Sequence, residues 1–145
     1  MAGPPDLDHF SVGVPAEVDL VGLAFGLRPE LTWRPFGAQT ATHFRVATGL
    51  MAGPELLFVP ASLGVRGRWF PRGRVHPVAG FVAELQGFWS SGHPFVVRPS
   101  FGIELGVDVT ITGTWSVGLI VEPGFAPKPD FGFGMAARLG VTRSL

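Results

Sequence analysis

A strict two-residue alternation of bulky apolar residues with glycine, alanine, hydroxyl and charged residues runs through most of this chain. That period belongs to β-strands, whose successive side chains point to opposite faces. From Val21 to Trp33 the odd positions carry Val21, Leu23, Phe25, Leu27, Pro29, Leu31 and Trp33, against Gly22, Ala24, Gly26, Arg28, Glu30 and Thr32. The pattern recurs from Phe95 to Val109, from Trp115 to Phe125 and from Phe131 to Val141. A soluble sheet turns its apolar face to a packed core and its polar face to water. Here the second face is too small, and too rich in Arg and Glu without Lys, to be an ordinary solvent surface. A bulky lipid-facing side and a polar lumenal side describe a transmembrane β-barrel instead.

At 145 residues the chain is long enough for one closed barrel and too short for two domains, so residues 1–145 are read as a single barrel domain, with 1–6 as a flexible tail. Formal net charge is zero, which offers no electrostatic case for nucleic acid. The absence of cysteine excludes disulfides, thiolate metal sites and a cysteine nucleophile. No apolar run approaches the length of a membrane helix. Met1 leads into Ala2, Gly3, Pro4 and Pro5 rather than a basic segment and an apolar stretch, so the chain is expected to be a mature form with an added start methionine.

Runs of constant phase predict eight strands, at 7–14, 18–34, 41–52, 57–70, 74–89, 95–110, 114–125 and 131–143. Short links between them imply antiparallel neighbours, hence an eight-stranded, all-β, up-and-down transmembrane barrel with short loops. Pro15 ends the first strand in this reading. Pro29, Pro77, Pro99 and Pro123 fall on the lipid-facing phase, and Pro29 and Pro60 lie deep enough in their strands to require bulges.

Aromatic placement agrees with a membrane. Trp33 and Trp69 end strands running one way and Trp115 begins one running the other, which puts all three at one rim. Trp89, Phe95, Phe125 and Phe131 fall at the opposite rim. Two aromatic girdles around an aliphatic band are expected where amphipathic rings sit at headgroup level.

The segment Gly106, Val107, Asp108, Val109, Thr110, Ile111, Thr112, Gly113, Thr114, Trp115, Ser116, Val117, Gly118 resembles the periplasmic hairpin of small bacterial outer-membrane barrels of the outer-membrane protein A and X type. The proline-led, glycine-spaced stretches Arg98 to Gly106 and His76 to Gly80 are similar to strands of that family. The resemblance covers the last two thirds of the chain and implies the outer membrane of a Gram-negative bacterium. Two features depart from it. The chain ends Arg143, Ser144, Leu145 rather than on an aromatic residue, and its loops are too short for an adhesin.

The predicted inner face carries Arg28, Arg45, Arg66, Arg98 and Arg138 with Glu30, Glu84, Glu104 and Glu122. A lumen of eight strands is just wide enough to be filled by side chains, and charges buried there must pair. These residues therefore form either a salt-bridge plug or the lining of a narrow pore. His9, His43 and His76, with Ser11, Ser62, Ser100 and Ser116, share the inward phase, but catalysis on lipid would need polar groups on the apolar face. The reading is a structural or membrane-organising barrel, monomeric, with lipid as its only inferable partner. It includes no catalytic residue, metal or cofactor. An ion- or solute-conducting pore is the alternative. A soluble lipocalin-like barrel with the bulky phase turned inward around an apolar ligand is a further one.

Overall fold

The computed structural model describes residues 10–21, 24–35, 42–54, 56–70, 73–126 and 132–145. Eleven strand segments follow in order: β1 (Phe10–Gly13), β2 (Ala16–Asp19), β3 (Ala24–Leu27), β4 (Glu30–Trp33), β5 (Thr42–Thr48), β6 (Leu50–Ala52), β7 (Leu56–Arg68), β8 (Val75–Ser90), β9 (Val96–Thr110), β10 (Trp115–Ala126) and β11 (Gly132–Ser144). Every pairing between them is antiparallel.

Three of the divisions are not changes of direction. Ser11 opposite Ser144 and Ala16 opposite Leu139 lie in one register, so β1 and β2 are a single stave. Phe10 opposite Trp33 and Ala16 opposite Leu27 join β3 to β4 in the same way, and Thr48 opposite Ala61 and Met51 opposite Phe58 join β5 to β6. The result is eight staves: β1 with β2, β3 with β4, β5 with β6, then β7 to β11 singly. Each stave pairs with its sequence neighbour, and β1 and β2 pair with β11 to close the ring.

Proline accounts for the divisions. The Arg28 N–H donates to the Pro15 carbonyl at 2.9 Å, the Thr48 N–H to Pro29 at 3.2 Å and the Gly49 N–H to Pro60 at 3.2 Å. None of these prolines has an N–H to return, so each ladder loses one bond there. Register does not slip, so the bulges expected at Pro29 and Pro60 are absent; each proline is absorbed as a single missing bond. Pro15 does not end the first stave either, which runs on to Asp19. Residues 7–9, the start of that predicted strand, lie outside the described residues, as do residues 1–6 and His9. The second stave starts at Ala24 rather than at residue 18. Replacing Pro29 by valine is expected to restore a donor toward the Thr48 carbonyl and add about 0.5–1.5 kcal/mol, read as a higher urea midpoint for protein folded in lipid vesicles.

A row of paired residues shows how the sheet closes. From Leu20 it passes through Met135, Pro123, Ile103, Phe81, Val65, Phe44 and Trp33 and re-enters the first stave at Phe10, ten residues from its start. Such a stagger on eight strands sets a strand tilt of roughly 40–45° and a lumen filled by side chains. The tight wall shows at Gly26, where a Cβ would fall inside the Leu50 carbonyl.

The bulky phase points outward: Phe25 is 69% exposed, Phe81 72% and Phe133 75%. The lipocalin-like alternative required these rings inside, and their exposure overturns it. The interior holds buried Arg28, Arg45, Arg66, Arg138, Glu17, Glu84 and Glu104 in its middle. A small apolar cluster of Ala24, Met51 and Phe58, with Leu56 and Phe88 against it, sits nearer the end where β2 meets β3.

Candidate functional site: a charge network across the lumen

Inward positions on all eight staves send charged side chains toward the barrel axis. Glu104 on β9 is 0% exposed and meets three arginines from three other staves. Arg66 Nε donates to Glu104 Oε2 at 3.0 Å, Arg138 donates to Oε1 at 3.0 Å, and Arg45 donates to the same oxygen. Glu30 bridges Arg45 and Arg66 from the second stave, at 3.4 Å to each.

A second centre lies beside the first. Arg28 Nη1 donates to both Glu17 carboxylate oxygens at 2.9 and 3.0 Å, and Arg28 also donates to Ser62 Oγ at 2.8 Å and pairs with Glu84. Glu17 also faces Arg138 Nε at 3.2 Å, and Arg138 reaches Glu122 as well. Arg138 therefore ties the two centres into one continuous network. The planar guanidinium suits this duty, since it stays charged when dehydrated and offers several donors in fixed directions. Inward glycines supply the room. A Cβ at Gly102 would stand 2.9 Å from the Glu122 side chain, and one at Gly64 would touch the Arg45 guanidinium at 3.6 Å.

Eight of the nine charged residues singled out from the sequence meet in this network, and Arg98 lies above it. Arg98 lines a cavity of about 260 Å³ with Asp19, Phe58, Gln86, Phe88 and Ser100. A second cavity, of about 240 Å³, lies on the other side and is lined by Arg34, His43, Arg68, His76, Asp108 and Thr110 among others. The network thus separates two vestibules. In the second, Arg68 Nε pairs with Asp108 at 2.8 Å and Arg68 also donates to Thr110 at 3.2 Å. His76 is buried there. Its Nδ1–H donates to the Phe70 carbonyl at 3.0 Å and its Nε2 shares a hydrogen bond with Thr110 Oγ1 at 2.9 Å. Phe70 has a positive φ of 57°, and its carbonyl also accepts from the Gly73 N–H at 2.9 Å, so His76 helps hold a strained turn.

Glu17 is the participant that sequence reading missed. Ending the first strand at Pro15 placed it in a loop, although the register continues through it. Extending the even-outward phase of Val12 and Val14 to Ala16 and Val18 would have found it.

On the outer surface Trp33 pairs with Phe10, and Trp115 with Arg143, at the end that carries the described termini. Trp69 reaches the same end through its N–H to the Pro77 carbonyl at 3.1 Å, and its ring covers Gly67. The Arg143 guanidinium lies 5.5 Å over the Trp115 ring. Toward the other end Trp89 and Phe95 stack at 4.4 Å, and Phe125 stacks with Phe101 at 5.8 Å. Phe131 lies outside the described residues.

No protein family defined by sequence matches the chain, and no curated protein does. Solved structures do. The crystal structure of Neisserial surface protein A is 13% identical, with 94% of each chain covered and a TM-score of 0.67. The N-terminal β-barrel domain of Pseudomonas aeruginosa OprF is 11% identical over 94% of this chain and 96% of that one, at a TM-score of 0.71. A de novo designed transmembrane β-barrel is 14% identical over all of both chains, at 0.59. With its eight antiparallel staves, the chain has the fold of the small outer-membrane β-barrels of the outer-membrane protein A type.

Proposed function

We propose that this protein is a monomeric outer-membrane barrel of a Gram-negative bacterium with a structural or membrane-organising role, closed to solutes and without catalysis or a cofactor. The observation that carries the reading is Glu104, buried among Arg45, Arg66 and Arg138 in the middle of the lumen. Ion pairs drawn from all eight staves crowd the lumen at that level, which supports a closed barrel. The outward Phe, Leu and Val surface supplies the apolar band that lipid requires. Short links among the described residues, such as those between Ser90 and Val96 and between Thr110 and Trp115, argue against adhesion through long loops.

The narrow pore is kept as a second reading because a polar vestibule lies on each side of the plug. Protein refolded into detergent and run on a gel with and without boiling, then reconstituted in a planar bilayer, separates the possibilities. The expected result is a faster-migrating unboiled band and no steady conductance. Resolved single-channel steps would assign the pore instead. Solubility in plain buffer with no gel shift would remove both.

A further inference from the structure

We propose that the vestibule between the charge network and the end carrying the described termini is a cup that binds a phosphate group. The inference goes beyond the structural role proposed above and takes from it only the network, which forms the floor of the cup.

The wall of this cavity is divided by chemistry. In ring order, Thr32 on β4, Ser11 on β1, Ser144 and Thr142 on β11, Ser116 on β10 and Thr110 on β9 line it with hydroxyls. Register makes them neighbours: Thr32 opposes Ser11, Ser11 opposes Ser144, Thr142 opposes Ser116, and Ser116 opposes Thr110. The rest of the ring carries nitrogen. Arg34 follows β4, His43 stands on β5, Arg66 and Arg68 on β7, and His76 on β8. An arc of hydroxyls thus faces an arc of guanidiniums and imidazoles. Space between them comes from Gly118 and Gly140, an inward pair on β10 and β11 that lines the same cavity.

Part of this wall is already engaged, and the remainder points to the ligand. His76 is held by the Phe70 carbonyl and Thr110, and Arg66 gives its nitrogens to Glu104 and Glu30. Arg68 spends Nε on Asp108 and Nη2 on Thr110, which leaves Nη1 without a partner among the described residues. The hydroxyls of Thr32, Ser11, Thr142 and Ser116 also make no hydrogen bond among the described residues, although Ser11 and Thr32 are buried. One charged and several neutral donors around a cavity suit an acceptor with oxygens on several sides, and arginine with Ser and Thr hydroxyls are common donors to phosphate oxygens. The described lining holds four arginines, Arg34, Arg66, Arg68 and Arg138, against two carboxylates, Glu30 and Asp108. Walls of low dielectric focus that positive excess into the cup, where a neutral sugar would leave it unanswered. At about 240 Å³ the cavity is below the range of about 300–1,000 Å³ that takes drug-sized ligands, and its size suits a phosphate or a small phosphate ester.

The test is calorimetric titration of the full chain folded in lauryldimethylamine oxide, with the fast-migrating unboiled band as the check on folding. Inorganic phosphate, glycerol phosphate, a short-chain phosphatidic acid and glucose are compared at constant ionic strength. Saturable binding of inorganic phosphate is expected, at least about tenfold tighter than that of glucose, and weakened at least about tenfold in Arg68→Gln and in Gly118→Leu. Arg68→Gln removes the guanidinium but also strips Asp108 of its partner, so Gly118→Leu supplies the second arm. It keeps every charge, and a Cβ at Gly118 meets nothing nearer than Asp108 Oδ1 at 3.4 Å, so the leucine fills the cup without displacing the wall. Binding of phosphatidic acid alongside inorganic phosphate supports the proposal and assigns a lipid headgroup as the source. Binding of the water-soluble phosphates alone supports it and assigns a free one. Absence of saturable phosphate binding, unchanged affinity in folded Gly118→Leu, or glucose binding as tightly as phosphate would each overturn the proposal and leave the barrel reading intact. A parent chain without the fast-migrating band would remove the barrel, and the cup with it.

Discussion

Glu104→Ala is expected to lower the unfolding free energy of the vesicle-folded protein by about 3–5 kcal/mol, read from urea titration and from loss of the fast-migrating gel band. The physical reason is what remains behind. Arg45 and Arg138 are 1% and 2% exposed and Arg66 9%, and without Glu104 three guanidiniums face one another at the lumen centre. Glu30 still reaches Arg45 and Arg66, and Glu17 and Glu122 still reach Arg138, but none touches all three. Arg45→Leu removes only one partner and leaves Glu104 with Arg66 and Arg138, so its expected loss is smaller, about 1.5–3 kcal/mol. An order of effects with Glu104 first identifies it as the hub. Equal and small losses would mean that water fills the lumen and screens the pairs. Because the plug is also the proposed seal, Glu104→Ala protein that does fold is expected to show conductance where the parent shows none.

The faces of the strands were legible in the sequence, and their register was not. Alternation alone sorts Phe81 from Val82 and Leu105 from Glu104, because pleated side chains have only two directions to take. It therefore assigns Arg45, Arg66, Arg138 and Glu104 to one interior. It cannot say that these four meet, since that depends on the ten-residue stagger around the ring, which is a property of all eight pairings together. Proline was the other obstacle. Read locally, Pro15 ends a strand and Pro60 demands a bulge. In a closed barrel each ladder is held in register by both neighbours, so a stave continues through one missing bond, and Glu17 is carried inward with it.

Phe81→Arg is expected to cost about 2–4 kcal/mol in vesicles, whereas Phe25→Arg should cost about 0–1 kcal/mol. Both rings point outward and are similarly exposed, at 72% and 69%, so neither substitution disturbs the interior. What differs is depth. Phe81 opposes Val65 and Ile103 near mid-height of the barrel, while Phe25 opposes Val18 and Ala52, one pair from the Asp19–Ala24 pair that ends the β2–β3 ladder. An arginine at position 81 has no rim within reach of its side chain, but one at position 25 can extend its guanidinium to the headgroups. A barrel whose bulky face met water would respond in the opposite way, with both arginines neutral for stability and favourable for solubility. The measurement thus reads the solvent around the outer surface independently of what the lumen does. A penalty at 81 with none at 25 fits a Phe25 that lies at the interface, whereas equal penalties at the two positions would place it inside the hydrocarbon.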